Sequence, residues 1–362
     1  MPEIKAAVCH TFGEPLIIET IHLDTPKEGE IEVKLGAVAV CHSDISYVDG
    51  AWGGTLPAVY GHEAAGEITA IGPSVYGLSV GDRVVVTLIR ACGHCTNCGS
   101  GKPTICELAV DRTTGPLRMT DGSLLEHGMN CGAFAEKVVV DQSQVVTISN
   151  DIAYDVASLL ACGVLTGIGA VVNAAKVRPG EDVVVIGAGG VGLNTIQGAH
   201  IAGARRIVAV DMSADKLDAA KEFGATDGVL ATDGKPWKAA KTMIGRGADS
   251  VFVTVGAISA YDTAPRYLAY GGQIVAVGMP KSGDRAVYEP VMMSAVGQGL
   301  IGTKMGDVVI KRDIPWMVDL YQQGRLKLDE LISGRYKLED INKAFADTRS
   351  GAARRNVILF DI

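Results

Sequence analysis

Four cysteines stand within one short, glycine-containing segment, at positions Cys92, Cys95, Cys98 and Cys106. Four thiolates can surround a zinc ion as a tetrahedron and leave no ligand position open for a substrate. The spacing therefore predicts a structural zinc site without chemistry of its own. An iron–sulfur cluster and two disulfides are the alternatives. Nothing else in the sequence indicates one-electron chemistry, and a reducing compartment disfavours disulfides.

Two other segments are rich in groups that bind metals or move protons: Cys41-His42-Ser43-Asp44 and Gly61-His62-Glu63. Apart from the loop thiols, the chain has four further cysteines, which are Cys9, Cys41, Cys131 and Cys162. Residue type and spacing alone do not select the metal ligands among them, because a histidine beside a glutamate is usually structural or solvated. A catalytic metal site and an ordinary polar cluster both remain open at this point.

A glycine-rich turn, Gly187-Ala-Gly189-Gly-Val-Gly192, stands between an apolar run and a helical stretch. In that context the pattern predicts a dinucleotide site, in which the backbone approaches a pyrophosphate at a helix N-terminus. Asp211 follows Gly192 by 19 positions, where a carboxylate binds the adenosine ribose and repels a 2′-phosphate. We therefore predict NAD rather than NADP. The alternative is a similar turn that binds another nucleotide or none.

The predicted elements that carry these groups change in character along the chain. Short β-type runs dominate the first half, for example Ile31–Leu35, Arg83–Thr87 and Lys137–Asp141. From about residue 164, buried strands such as Asp182–Ile186 and Ile207–Asp211 alternate with helices, which predicts a doubly wound parallel sheet. After about residue 300 the pattern predicts two helices, at 314–323 and 338–347, and a closing strand at 356–360.

The chain has 362 residues and a formal net charge of −8. The length favours two domains, and the charge argues against a nucleic-acid partner. No run approaches the ~18 apolar residues of a membrane helix. The first ten residues lack the apolar region of a signal peptide. We therefore expect a cytoplasmic protein with no membrane partner.

The order of these motifs, followed by Cys162-Gly-Val-Leu-Thr166, resembles the zinc-containing alcohol dehydrogenases over nearly the whole chain. The cysteine loop and the Gly-His-Glu segment together are highly specific. The resemblance implies an α/β protein with a β-rich, GroES-like catalytic domain over residues 1–163 and 301–362. It implies a doubly wound Rossmann domain that binds NAD over residues 164–300.

The resemblance also implies a role for each group near the first motifs. Cys41, His62 and Cys162 would bind a catalytic zinc, which with the loop gives two zinc ions per chain. Glu63 would approach that metal during ligand exchange. Asp44 would orient the zinc histidine, and Ser43 would take the alcohol proton.

Further residues are assigned to the cofactor. His42 would touch the pyrophosphate, with a plain surface donor as the equal alternative. The residues so assigned are Gly187, Gly189, Gly190, Val191, Gly192 and Asp211 of the turn and strand, together with His42, Thr166, Lys216, Val277 and Arg355. Thr166 and Val191 would lie beside the nicotinamide. Arg355 would bind a phosphate group of the cofactor. Because Arg354 stands beside it, the resemblance distinguishes less clearly which of the two arginines has this role.

The chain departs from relatives at several positions. Some relatives end the proton relay at a histidine where this chain has Ser46. The thiol-dependent formaldehyde dehydrogenases have an arginine where this chain reads Glu107-Leu-Ala-Val110. We predict that the Arg112–Asn130 insertion borders the substrate cleft or a subunit contact. Leu88, Trp52 and Met305 suggest an apolar pocket.

Three functions follow as hypotheses. The first is reversible, NAD-linked oxidation of an apolar primary, aryl or allylic alcohol to an aldehyde or ketone. The second is a thiol-dependent formaldehyde dehydrogenase, and the third is a non-catalytic NAD-binding protein. Apart from the small-molecule alcohol or aldehyde, the expected partner is a second copy, in a homodimer or homotetramer. Val291–Thr303 would form that contact, with an ordinary buried strand as the alternative.

Overall fold

The computed structural model describes residues 2–108, 110 and 114–361. The chain divides into two compact units, one formed by Met1–Cys162 with Val309–Ile362 and the other by Gly163–Val308. Among the described residues no single helix is long and apolar enough to cross a membrane. One bent pair, Tyr154–Ala161 with Gly163–Ala175, passes that test on length and composition alone.

The strands of the described chain follow in order. They are β1 (Glu3–Cys9), β2 (Ile17–Leu23), β3 (Glu30–Ala39), β4 (Ala58–Val59), β5 (Ala64–Ile71), β6 (Arg83–Val86), β7 (Leu117–Arg118), β8 (Glu126–His127), β9 (Lys137–Asp141), β10 (Val145–Thr147), β11 (Asp182–Ile186), β12 (Arg206–Asp211), β13 (Asp227–Leu230), β14 (Ala248–Val253), β15 (Leu268–Ala276), β16 (Gly299–Gly302), β17 (Ile332–Lys337) and β18 (Arg355–Leu359).

The α-helices are α1 (His42–Val48), α2 (Thr96–Gly99), α3 (Tyr154–Ser158), α4 (Gly163–Gly169), α5 (Gly190–Ile201), α6 (Ala214–Glu222), α7 (Pro236–Ile244), α8 (Ile258–Thr263), α9 (Pro290–Val296), α10 (Ile310–Gln322) and α11 (Ile341–Ser350). A π-helical segment, Ala170–Ala175, continues α4.

The Gly163–Val308 unit contains a six-stranded parallel sheet in the order β13-β12-β11-β14-β15-β16. Every residue of β11 is buried, as its continuous apolar run predicts. The strand order reverses between β11 and its neighbours β12 and β14. Such a reversal is where doubly wound sheets bind ligands, and here the glycine-rich turn follows β11 directly. The predicted doubly wound fold is confirmed.

The other unit contains a five-stranded sheet, in the order β7-β2-β1-β4-β8, and a seven-stranded sheet built around β3. Strand β3 pairs with β5, β9 and β18, all antiparallel to it. The C-terminal end of β3 therefore lies beside the N-terminal ends of β5 and β18. This register brings the residues just after β3, just before β5 and at the start of β18 to one end of the sheet.

Several elements differ from the sequence-based expectation. The 112–130 insertion, which has few strand signals, contains β7 and β8, which pair with β2 and β4. Strands of only two residues are too short to produce an alternating pattern in the sequence. Arg112 and Thr113 of this insertion lie outside the described residues. Val291–Thr303 divides into most of α9 and the edge strand β16, since the left-handed Gly297 ends the helix.

Candidate active site

A buried cluster of metal-binding side chains lies at the end of the β3 sheet. Cys41 follows β3, and His62 and Glu63 precede β5. A backbone hydrogen bond of 2.8 Å from Ala39 N–H to the Glu63 carbonyl holds the two segments together. Cys162, which ends the helical turn after α3, completes the group. One donor atom from each of these four buried ligands lies within 4.8 Å of the others.

Asp44 fixes the histidine of this cluster. Its carboxylate accepts hydrogen bonds from Cys41 N–H (2.9 Å), from Gly61 N–H (3.0 Å) and from His62 Nδ1 (3.0 Å). Burial opposes protonation of His62, but the attraction of Asp44 outweighs it and raises the pKa of His62 well above its ordinary value. A more basic imidazole is a stronger metal ligand. Gly61, which precedes this histidine, has φ +91°. A Cβ at position 61 would lie only 2.6 Å from the backbone nitrogen of Phe134, so the position requires glycine.

The other ring nitrogen shows that these residues fit a metal. His62 Nε2 is buried and has no hydrogen-bond partner among the described residues. Because Nδ1 is bonded to Asp44, Nε2 is the ring nitrogen that would bind a metal ion in the cluster. A hydrogen bond from Cys162 lowers the pKa of Cys41 well below its ordinary value, which favours the thiolate that binds metals. Two thiols and an imidazole match a catalytic zinc site that keeps a position for substrate.

One contact at this cluster was not anticipated from the sequence. Arg355, the first residue of β18, is buried and donates from Nη2 to Oε2 of Glu63. Burial raises the pKa of Glu63 to about 7, although the charge of Arg355 opposes the shift. Arg355 was expected at a cofactor phosphate. In the structure its guanidinium is paired with Glu63, and the phosphate role stays a prediction.

The four-cysteine loop forms a second cluster. One sulfur from each of Cys92, Cys95, Cys98 and Cys106 lies within 4.8 Å of the others. Neighbouring sulfurs of a zinc tetrahedron are roughly 3.8 Å apart for bonds of about 2.3 Å, and Cys92 Sγ lies 4.0 Å from Cys98 Sγ. Backbone N–H groups of Glu107 and Cys98 lower the pKa of Cys95 to about 6. All eight cysteines of the chain are free of disulfides.

The glycine-rich turn packs closely against the start of helix α5. A Cβ on Gly192 would lie 1.9 Å from the Gly187 carbonyl oxygen, so helix α5 and the turn after β11 approach closely only because residue 192 is glycine. A Cβ on Gly189 would meet no described atom within 4 Å, which leaves open space in front of the turn. Asp211 stands at the end of β12. It accepts from Ala188 N–H (2.8 Å) and Ser213 N–H (3.1 Å) and so ties the turn to the next loop.

The remaining predicted residues lie in different places. Ser43 is half-buried in the first turn of α1, and His42 is exposed at the first position of that helix. Thr166 is buried in α4, and its hydroxyl donates to the sulfur of Met305 (3.7 Å). Lys216 lies on α6. Other predicted positions are Gly190 and Val191 at the start of α5, Val277 just after β15, Ser46 on α1, Trp52 after α1 and Leu88 after β6.

Comparisons with known proteins agree with this geometry. Residues 27–150 match the family described as the alcohol dehydrogenase GroES-like domain. Residues 190–323 match the family described as zinc-binding dehydrogenase. Together these two matches cover more than half of the chain.

Individual relatives extend over the full length. An NDMA-dependent alcohol dehydrogenase from Amycolatopsis methanolica is 36% identical and 98% of each chain is covered. An S-(hydroxymethyl)glutathione dehydrogenase from Synechocystis sp. is also 36% identical, over 98% of this chain and 99% of the relative. The crystal structure of benzyl alcohol dehydrogenase from Acinetobacter calcoaceticus is 31% identical, with a TM-score of 0.93 over 100% of both chains. The chain therefore belongs to the zinc-containing, medium-chain alcohol dehydrogenase family and is an oxidoreductase that uses zinc and NAD.

Proposed function

We propose that this enzyme oxidises an apolar primary, aryl or allylic alcohol reversibly to its carbonyl product, with NAD as hydride acceptor. The observation that carries the proposal is the buried donor set Cys41, His62 and Cys162, with the hydroxyl of Ser43 two residues after the first ligand. A buried metal centre beside a half-buried hydroxyl offers both a site for the alcohol oxygen and an acceptor for its proton.

The chain's own residues divide the work as follows. When bound, zinc polarises the alcohol oxygen and lowers its pKa, and NAD accepts the hydride. Cys41, His62 and Cys162 hold the metal, and Asp44 fixes the imidazole so that Nε2 faces it. Ser43 takes the alcohol proton and passes it outward to the solvent. Glu63, which is paired with Arg355, would be an alternative ligand of the metal during ligand exchange.

The NAD site is proposed on the glycine-rich turn and Asp211. The start of α5 binds the pyrophosphate, while the Asp211 carboxylate binds the ribose and repels a 2′-phosphate. Met212 follows Asp211 and is exposed, so no positive side chain stands directly after the acid to receive that phosphate. We also propose that the cofactor is bound by six further residues, which are His42, Thr166, Val191, Lys216, Val277 and Arg355.

The test is NADH formation at pH about 8 over a panel of alcohols, before and after removal of zinc. The panel contains ethanol, hexanol, geraniol, benzyl alcohol, a secondary alcohol, and formaldehyde with and without an added thiol. The proposal predicts zinc-dependent turnover of the apolar alcohols without any thiol. An inactive panel, with zinc and NADH bound, would refute it.

Thiol-dependent formaldehyde oxidation is the second candidate. Its support is that curated relatives of 36% identity are S-(hydroxymethyl)glutathione dehydrogenases. Against it, the segment Glu107–Val110 supplies an acid and apolar residues where that branch has an arginine for the thiol's carboxylate. Turnover of formaldehyde that requires an added thiol would move the assignment to this candidate.

The organisation of the protein is proposed on the same basis. We propose that residues 1–163 and 301–362 form the catalytic domain and that residues 164–300 bind NAD. A homodimer or homotetramer would form through Val291–Thr303, which includes the edge strand β16 and the exposed Val291, Met292 and Leu300. Sedimentation as a monomer would exclude this contact. The eight free cysteines support a cytoplasmic location.

A further inference from the structure

A row of close contacts runs along the edge of the parallel sheet at which the neighbouring strands β11, β14 and β15 end. Thr254 directly follows β14, and its hydroxyl donates to the carbonyls of Ile186 (3.0 Å) and Gly187 (2.9 Å). Thr254 therefore connects the end of β14 to the first glycine of the glycine-rich turn.

The next contacts along this edge join the segments that follow β14 and β15. A Cβ on Gly278 would lie 2.4 Å from the carbonyl oxygen of Val255. Likewise, a Cβ on Gly256 would lie 2.5 Å from the carbonyl oxygen of Met279. The backbone N–H of Gly278 also donates to the Val253 carbonyl (2.8 Å). The two segments are therefore in direct backbone contact, which only glycine permits at positions 256 and 278.

Tyr261 on helix α8 holds Gly278, the member of this row that is farthest from the glycine-rich turn. The Tyr261 side chain is buried, and its hydroxyl donates to the Gly278 carbonyl. Burial raises the pKa of Tyr261 to about 12, so the hydroxyl remains a donor at neutral pH. The next residue, Asp262, accepts from Val287 N–H (2.8 Å). Helix α8 therefore fixes both ends of the loop from Gly278 to Val287.

The strand order relates this edge to the cofactor. The pyrophosphate is proposed at the turn after β11, and the adenosine ribose is proposed at Asp211, where β12 ends. Strand β12 pairs with one side of β11, and β14 pairs with the other side. A dinucleotide whose adenosine half lies at β12 therefore extends its nicotinamide half over the ends of β14 and β15, where Val277 is the proposed contact.

We propose that Tyr261 is a positioning residue for the nicotinamide half of NAD. This inference rests on the proposed NAD site and deepens it. The Tyr261 hydroxyl fixes the carbonyl of Gly278, and Gly278 in turn fixes the residue before it, Val277. The Thr254 hydroxyl supports the pyrophosphate turn, on which both halves of the cofactor depend. The two hydroxyls should therefore affect different parts of the ligand.

The experiment compares NADH with ADP-ribose, which has the adenosine and both phosphates but no nicotinamide. Titration calorimetry measures both dissociation constants for the zinc-loaded wild type and for Tyr261→Phe, which lacks only the hydroxyl. We expect Tyr261→Phe to bind NADH about three- to tenfold more weakly, the range that one hydrogen bond contributes. It should bind ADP-ribose as tightly as the wild type does. Equal weakening of both ligands, or no change in either, overturns the inference.

Two other variants test whether the comparison separates the two halves of the cofactor. Thr254→Val removes the hydroxyl at the glycine-rich turn and should weaken NADH and ADP-ribose by the same factor. Selective weakening of NADH in this variant would also overturn the inference. Tyr270→Phe is the matched control, because Tyr270 belongs to the same unit and is 85% exposed. It should leave both dissociation constants unchanged.

A measurement on the wild type requires no variant to fold. Hydrogen exchange is followed for the peptides that cover α8 and residues 276–279, with saturating ADP-ribose or saturating NADH. Exchange should be slower with NADH, because a nicotinamide that orders Val277 also orders the Gly278 carbonyl and the helix bonded to it. Equal exchange with the two ligands would reject the positioning role.

Failure of the proposed function gives different results. If ADP-ribose does not compete with NADH for the wild type, the proposed NAD site is wrong, and the role of Tyr261 is rejected with it. If the zinc-loaded wild type binds both ligands as described but oxidises no alcohol, the proposed function is wrong. The binding data on Tyr261 are then unaffected, because they do not depend on turnover.

Discussion

Asp44 is expected to decide whether the buried cluster holds its metal. The residue is fully buried, and its carboxylate accepts from two backbone N–H groups and from His62. Replacing it with alanine leaves three buried donors unpaired, each at a cost of ~1–3 kcal/mol. Relaxation and entering water recover part of this, so we expect Asp44→Ala to lower the free energy of unfolding by about 3 kcal/mol or more.

The metal responds to the same change. Without Asp44 the imidazole loses the contact that fixes Nε2 towards the cluster, and loss of such a partner lowers metal affinity about 10- to 100-fold. Chelator competition, read as zinc per chain, measures this affinity. The four-cysteine site is the internal reference, because it has no contact with Asp44 and should keep its zinc.

Asp44→Asn is the matched control for shape. Its amide keeps one acceptor oxygen but presents a donor where the second oxygen stood, so it should fall between the wild type and Asp44→Ala in both measurements. If Asp44→Ala binds two zinc ions with unchanged affinity and unfolds at the same denaturant concentration, the reasoning about this residue is wrong.

Four further outcomes are expected. Ser43→Ala should lower kcat about 100-fold while NAD affinity stays the same, and an unchanged kcat would argue against proton acceptance at this hydroxyl. Asp211→Asn should raise the KM for NAD about tenfold, because an amide donor would face Ala188 N–H; cofactor titration checks this, and an unaltered KM counts against it. Cys95→Ser should lose one zinc ion per chain and have a lower melting temperature, measured by metal analysis and calorimetry. A variant that keeps two zinc ions per chain would contradict this prediction. Burial lowers the pKa of His127 to about 4, below its ordinary 6.5; the folded state then resists protonation, so stability present above pH 6.5 is lost as the pH falls towards 4. Between these two pH values His127→Gln should lose less free energy of unfolding than the wild type, as measured by urea titration. Equal losses in the two proteins would contradict the lowered pKa of His127.

Local patterns carried the dinucleotide-binding half of the fold. Residues 183–186 of β11 are continuously apolar because the strand is buried on both faces. Among the glycines that follow, a Cβ would clash with neighbouring atoms at Gly187 and at Gly192. The ends of elements were less predictable. Helix α10 begins at Ile310, four residues before the expected start, and the Asp313 carboxylate, which accepts from Val309 N–H (2.9 Å), helps to define this start.

Contacts between distant segments could not be predicted from spacing. The pairing of Arg355 with Glu63 joins residues 292 positions apart, and the antiparallel registers of β18 and β5 on β3 bring them together. The stacking of Tyr47 on Tyr60 likewise depends on how the loop after α1 returns to Tyr60. The sequence also contained no signal that Asp211 would bond to Ala188 of the glycine turn.

The central claim is that the cluster of Cys41, His62 and Cys162 is the metal centre at which the alcohol is oxidised. The most direct test is NADH formation by His62→Ala beside the zinc-loaded wild type, with zinc content and NADH binding measured on the same samples. The account predicts one retained zinc per chain, intact NADH binding and turnover lowered at least about 1,000-fold, since a catalytic metal supplies several kcal/mol of barrier reduction. The claim is contradicted if His62→Ala still binds two zinc ions per chain. It is also contradicted if the variant binds one zinc ion and turns over the alcohol as fast as the wild type.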